Sequence, residues 1–385
     1  MSEFDAIRPY QDGEVTAVLN RLLSDKEFLD TITRLKLPHI GSYIAPIIRG
    51  RVRSRLVREL AEVRAVGDFQ ALIEGYMRNM LNKTVDDLTI SGIDQLDRSC
   101  AHLFVSNHRD IAMDPAIVNW ALYQNGLTTL RIAIGDNLLT KPFASDLMRL
   151  NKSFIVNRSA TGAREKLKAA KLLSKYIYHS VVNDNENVWI AQREGRAKDG
   201  LDHTNPAIVS MLTLNRPKSE TFEKYVETLR IVPISVSYEY DPCDFAKARE
   251  LVKKGTHGEY KKGEHEDVKN IAKGIVGYKG KVHLSFGASL KNIFSDVDAV
   301  TAELDQQISR NYVLHFTNCF AYEMLEKVSP VVEVGIDKCL FSDMNLDEER
   351  KQFKMHVARC DVKYREAFLR GYANPVYRKL GAKPL

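Results

Sequence analysis

No two cysteines of this 385-residue chain form a CxxC pair, and their number, five (Cys100, Cys243, Cys319, Cys339 and Cys360), is odd. Scattered thiols of this kind argue against a zinc site or a disulfide framework and fit a reducing compartment. Also missing is any run near the ~18 consecutive apolar residues that a spanning helix needs. The N-terminus, MSEFDAIRPYQDGE, has early acids in place of an apolar signal core. Any membrane contact is therefore expected to be peripheral. Charge of one sign is lacking as well: 56 Lys+Arg against 50 Asp+Glu leave +6, too small an excess to point to nucleic acid. There is no internal repeat and no low-complexity tail. What remains, 44% hydrophobic and 28% charged, is the balance of a globular protein, long enough for one large domain or two medium ones.

The first 85 residues read as helical. A helix is expected from about 12 to 36, on Val15, Val18, Leu22, Phe28, Leu29 and Ile32, with Pro38, Gly41 and Pro46 as punctuation. Residues 47–66 are basic and amphipathic: Val52, Leu56, Leu60 and Val63 recur at helical spacing, while Arg51, Arg55 and Arg58 share another face. Such a segment suits an anionic membrane surface, and equally a helix packed on the domain with solvated arginines. A further helix is expected over 69–81.

From Val85 the pattern alternates. Strands are expected at 88–91, 101–106, 130–134, 153–157, 188–191, 231–238 and 281–286, with helices between them, among them 115–123 and 163–181. That order predicts an α/β protein: a mixed, largely parallel sheet flanked by helices, with N- and C-terminal helical extensions. Residues 250–280 are polar, Lys-rich and Gly-punctuated, and read as a mobile insertion between strands. Helices over 301–325 and 347–368 are expected to close the C-terminal end. The expected domains are a helical region over 1–85, the α/β domain over 86–315 and a helical extension over 316–385.

The stretch AHLFVSNHRDIAMDPAIVNW, residues 101–120, organises the rest. An apolar strand turns at Ser106-Asn107, places His108-Arg109-Asp110 in a loop, and leads into a helix signalled by Asp114 as N-cap acceptor and Pro115 at the first helical position. A histidine beside two carboxylates, between a strand end and a helix start, is well placed to be a general base. Two more polar clusters end predicted strands: Asn157-Arg158-Ser159, and Gln192-Arg193-Glu194-Gly195-Arg196 with Lys198 and Gly200. Ligands gather at the carboxyl ends of strands in open α/β sheets, and arginine suits phosphate or carboxylate. The triplet His108-Arg109-Asp110 also occurs in kinase catalytic loops, but Pro115 stands where the asparagine is required and no Gly-rich loop precedes it.

Four blocks in this order resemble the glycerolipid acyltransferases, the superfamily of glycerol-3-phosphate and 1-acylglycerol-3-phosphate acyltransferases, over roughly residues 86–290. Ser106-Asn107-His108 through Asp114 resembles their His-Asp block, and Ser153-Phe154-Ile155-Val156-Asn157-Arg158 the block ending in a phosphate-binding arginine. Arg193-Glu194-Gly195-Arg196 is similar to the third, and Ile231-Val232-Pro233-Ile234 to the fourth, an apolar strand with proline. The resemblance implies acyl transfer without metal or cofactor. His108 would be the base, oriented by an aspartate; Arg158 would bind the acceptor's phosphate, with Arg109, Glu194, Gly195, Arg196 and Lys198 shaping or charging the acceptor pocket. The implied donor is acyl-CoA or an acyl carrier protein. The implied acceptor is glycerol 3-phosphate or a lyso-lipid, met at the cytoplasmic face of a membrane; an unphosphorylated lyso-aminolipid acceptor or a non-catalytic lipid-binding protein are the alternatives. One departure stands out. Five residues separate His108 from Asp114 where the family has four, so the orienting carboxylate is either Asp114, reached across a longer loop, or Asp110. The third block also departs, with Gln192-Arg193 where a Phe-Pro pair is common.

Overall fold

A computed structural model of the chain describes residues 3–36, 45–261, 263, 266–291 and 293–382. The chain forms two compact units, residues 1–78 with 130–173, and 79–129 with 174–385.

The first unit is mostly helical. Its helices Asp12–Ser24, Lys26–Lys36 and Ala45–Glu59 precede the parallel strand pair β3 (Arg131–Gly135) and β4 (Ser153–Val156), which are joined through the helix Pro142–Leu150. The single helix expected over 12–36 is two, because Asp25 ends the first in an extended conformation and its carboxylate then accepts the N–H of Phe28 at 2.8 Å to start the second. The basic segment is indeed helical, and its Leu56 and Leu60 pack against a core built on Val15, Leu22, Phe28 and Val63. Its arginines are held locally: Arg49 grips Asp30 through two hydrogen bonds of 2.6 and 3.0 Å, and Arg55 reaches Glu59 at 2.6 Å. The punctuation expected at Pro38 and Gly41 lies outside the described residues.

The main sheet takes from the second unit the strands β1 (Val85–Ser91), β2 (Leu103–Ser106), β5 (Val188–Ala191), β6 (Ile231–Tyr238) and β7 (Gly280–Phe286), in the order β1-β7-β6-β2-β5. Among these five strands β6 with β7 is antiparallel, while β1 with β7, β2 with β6 and β2 with β5 are parallel. The sheet is therefore mixed and largely parallel, as the alternation of strands and helices implies. Both β2 and β6 are buried along their whole length, which is why they read as continuous apolar runs without alternation. The polar segment expected as an insertion between strands lies between β6 and β7. It holds two helices, Asp244–His257 and Glu266–Val276, whose polar and apolar residues recur at helical spacing. The C-terminal helices Phe316–Glu326, Asp347–Ala358 and Arg365–Lys379 enclose a second core around Phe320, Phe353, Phe368 and Tyr372. Among the described residues, no helix is long and apolar enough to cross a membrane.

Candidate active site

β2 lies between β5 and β6, with Ser106 opposite Ala191 on one side and Ile234 on the other. Three parallel strands thus bring their carboxyl ends to one place, and the loop 107–112 leaves from the middle of them. Asn107 fixes its start. The buried side chain donates to the Val236 carbonyl at 3.0 Å and accepts the Val236 N–H at 2.8 Å, completing the ladder where β2 has stopped. His108 follows, its ring edge-on to Trp189 of β5 at 5.8 Å between centroids.

Asp114 rather than Asp110 meets the histidine. Its Oδ2 lies 2.9 Å from His108 Nδ1 and also accepts the N–H groups of Arg109 at 2.6 Å and Asp110 at 2.9 Å. Its Oδ1 accepts the Tyr238 hydroxyl at 2.8 Å. The helix begins two residues earlier than the Asp114-Pro115 signal predicts: it runs Met113–Gln124, and Asp114 is inside its first turn, not at its N-cap. The reason is Asp110, whose Oδ1 accepts the N–H of Ala112 at 3.0 Å and of Met113 at 2.9 Å. With those helix-start amides served by Asp110, Asp114 is left to turn back on the loop. The fully buried Asp114 carboxylate gathers four donors, while burial, reinforced by the neighbouring Asp114 charge, raises the carboxyl of Asp110 above its usual range. Tyr238 is likewise held protonated, its hydroxyl pushed well up by burial and by the charge of Asp114.

The Glu-Gly-Arg block runs alongside. Gln192 N–H donates to the Ser106 carbonyl and Ala197 N–H to the His108 carbonyl, both at 2.8 Å, so this loop continues the β2–β5 pairing past the sheet. Gly195 makes the turn at φ +73°, a conformation that favours glycine. Glu194 is exposed, whereas two cations expected at the substrate, Arg109 and Lys198, are engaged within the protein. Arg109 is buried, donates to Asp202 at 2.5 Å and lies over the Tyr312 ring at 5.2 Å. Lys198 Nζ donates to Glu250 at 2.5 Å. Arg196 is buried near Asp241, whose carboxyl burial would raise but which the charges of Lys247 and Arg196 hold low. Lys247 in turn donates to the Arg109 carbonyl at 2.6 Å and pairs with Asp241, fastening the loop from below. The cavity beside these groups, bordered by Arg109, Lys198, Asp241 and Lys247, has a volume of about 30 Å³.

Arg158 belongs to the first unit, in the exposed turn after β4. Asp136 organises that turn, accepting the Arg158 N–H at 3.0 Å and the Ser159 hydroxyl at 2.6 Å. Asn157 accepts the Ala160 N–H at 3.0 Å. Gly135 leaves room for the arginine stem, since a Cβ there would come within 2.9 Å of Arg158 Nε.

Sequence reasoning missed Tyr238, Trp189, Asp202 and Lys247. Tyr238 alone left a readable mark, a hydroxyl at the carboxyl end of an otherwise apolar strand; the others depend on which elements become neighbours. Among the described residues no group of His, Cys, Asp and Glu has the arrangement of a metal site.

A buried carboxylate orienting an imidazole at the carboxyl ends of parallel strands is an arrangement able to take up a proton and pass it on. The extra residue between His108 and Asp114 does not part them, since the two side chains lie 2.9 Å apart. Residues 87–237 match the protein-family model described as Acyltransferase, which makes this region of the chain an acyltransferase domain. Among solved structures it is similar to the 1-acyl-sn-glycerophosphate (LPA) acyltransferase PlsC from Thermotoga maritima. The identity is 12% over 78% of this chain and 95% of that one, with a TM-score of 0.38, too low to carry an argument. No curated protein matches the sequence.

Proposed function

We propose that the protein is an O-acyltransferase of lipid synthesis. It moves a fatty acyl group from acyl-CoA or an acyl carrier protein to a hydroxyl of glycerol 3-phosphate or of a lysophospholipid such as 1-acylglycerol 3-phosphate. It works as a peripheral protein on the cytoplasmic face of a membrane. The observation that carries the reading is the His108–Asp114 pair, set inside the region that matches the acyltransferase family.

With Nδ1 engaged by Asp114, Nε2 is the nitrogen that takes the acceptor's proton. The hydroxyl oxygen attacks the thioester carbonyl carbon, the C–S bond breaks, and the proton passes from His108 to the departing thiolate. Asp114 holds the tautomer and stabilises the imidazolium. Because the donor is already activated, no acyl-enzyme is needed. In this reading Arg158 binds the acceptor's phosphate and Glu194 and Gly195 shape its pocket, while Arg109, Arg196 and Lys198 support the loops.

The test is acyl transfer from labelled acyl-CoA to a panel of glycerol 3-phosphate, lysophosphatidate and an unphosphorylated lyso-aminolipid. His108→Ala should lower kcat on the order of 10²- to 10⁴-fold; equal turnover would sink the assignment. Arg158→Ala should raise KM for the phosphate-bearing acceptors and leave the donor KM unchanged. A preference for the aminolipid would replace the phosphate reading.

A further inference from the structure

The helix Glu266–Val276 is mounted with its polar side inward. The side that meets the protein carries Asn270 and Gly274, both buried. The Asn270 carbonyl receives the Cys243 thiol at 3.5 Å, and Gly274 stands so close to the histidine loop that a Cβ would come within 2.2 Å of Asp110 Oδ2. The end of the helix is tied down by Lys279, a fully buried lysine whose Nζ donates to the carbonyls of Gly277 at 2.7 Å and Ile275 at 3.3 Å, and to Thr84 Oγ1 at 3.1 Å.

The opposite side is apolar. Val268, Ala272, Ile275 and Val276 fall on one helical face, and Val268, Ile275 and Val276 are 53%, 38% and 67% exposed. Tyr278, just beyond the helix, is 52% exposed. Exposed Lys269 and Lys273 border the face. A helix on a water-facing surface turns its apolar stripe to the core; this one turns it out, and the close seat of Gly274 on Asp110 fixes that orientation.

We propose that this face docks the protein on an anionic bilayer, resting on the reading that its substrates are lipids. An apolar face edged by lysines matches the boundary between acyl chains and anionic headgroups. The same lysines would repel one another across a pair of copies. The helix also touches the loop that carries His108, so the bilayer would lie beside the site. The basic helix Ala45–Glu59 offers no equivalent, since its Leu56 packs on the core and Arg49 and Arg55 are paired.

Co-sedimentation of the full chain with phosphatidylcholine vesicles, with and without phosphatidylglycerol, tests this. Binding should favour the anionic vesicles. The double variant Ile275→Ser/Val276→Ser should weaken it on the order of tenfold or more, and Lys269→Glu/Lys273→Glu should abolish the preference for phosphatidylglycerol. The serine variant should change neither the melting temperature nor acyl transfer to a water-soluble, short-chain acceptor, and the glutamate variant should leave that transfer unchanged. Wild-type protein that ignores anionic vesicles, or variants that bind like wild type, would overturn the proposal. So would a concentration-dependent dimer that the serine variant dissolves, which would assign the face to a second copy. Protein that binds vesicles yet acylates no lyso-lipid supports the docking face and refutes the acceptor reading.

Discussion

At the scale of single residues, the feature that matters most is how many donors one carboxylate serves. Asp114 takes His108, two backbone amides and the Tyr238 hydroxyl, so it can neither rotate nor be left unpaired in its buried position. In the proposed mechanism Tyr238 acts through Asp114 as a positioning residue. Tyr238→Phe removes one hydrogen bond to a charged group, of about 1.5–3 kcal/mol. If that loss is felt in the transition state, kcat falls at least roughly tenfold. The KM for donor and acceptor should not move. Steady-state kinetics check this, and an unchanged kcat would show that the backbone amides hold Asp114 unaided. Residue identity alone left Asp110 and Asp114 as rivals, because spacing counts residues and not the turns they make. Both are used: Asp110 binds the helix start, and in doing so assigns Asp114 to the histidine.

At the scale of elements, sequence and structure agree best where an element is buried on every side. The apolar runs of β2, β5 and β6 fall where they were expected, since such runs have few other places to go. The breaks between helices were less legible. Residues 301–325 read as one helix but form Val297–Asn311 and Phe316–Glu326, divided where His315 N–H is taken by the Asn318 side chain at 2.8 Å. A histidine and an asparagine three apart are a poor sequence signal for a cap. The helices within the polar 250–280 segment were hidden for a different reason, because Glu266–Val276 meets the protein through glycine and asparagine instead of an apolar stripe. Gly274→Ala tests that contact. Its Cβ would push into the Asp110 carboxylate, so the variant should lose about 1–3 kcal/mol with a lower kcat, read by urea denaturation and by turnover. Wild-type stability would mean that the helix sits farther from the loop.

At the scale of the whole molecule, stability should fall in acid through two buried histidines of the second unit. His283 of β7 is hydrogen-bonded by Thr89 at 2.7 Å and Ser91 at 2.9 Å, and burial pushes its imidazole down to about 4; burial takes His315 to about 3. The unfolded chain binds a proton at each near pH 6.5 while the folded chain does not. Their contribution is therefore fully present above about pH 6.5 and is lost as pH falls through that window. For His283, the fall from pH 6.5 to 4 corresponds to about 3 kcal/mol. His283→Gln keeps a hydrogen-bonding side chain without the titration, so denaturation midpoints should fall less steeply over that range than in wild type. Parallel curves would show that His283 is reached by water.

The sequence by itself determined the class of fold, the position of the histidine loop and the block order, because burial and turn chemistry leave local traces: apolar runs, prolines at helix starts, polar clusters at strand ends. The tertiary structure decided the rest. It chose Asp114 over Asp110, turned Arg109 to Asp202 and Lys198 to Glu250, brought Tyr238 to the carboxylate, and set an apolar helix face outward. Each of those depends on which distant segments become neighbours. In the strand-loop-helix around His108, a contact as short as 2.9 Å follows from backbone hydrogen bonds that no residue spacing records.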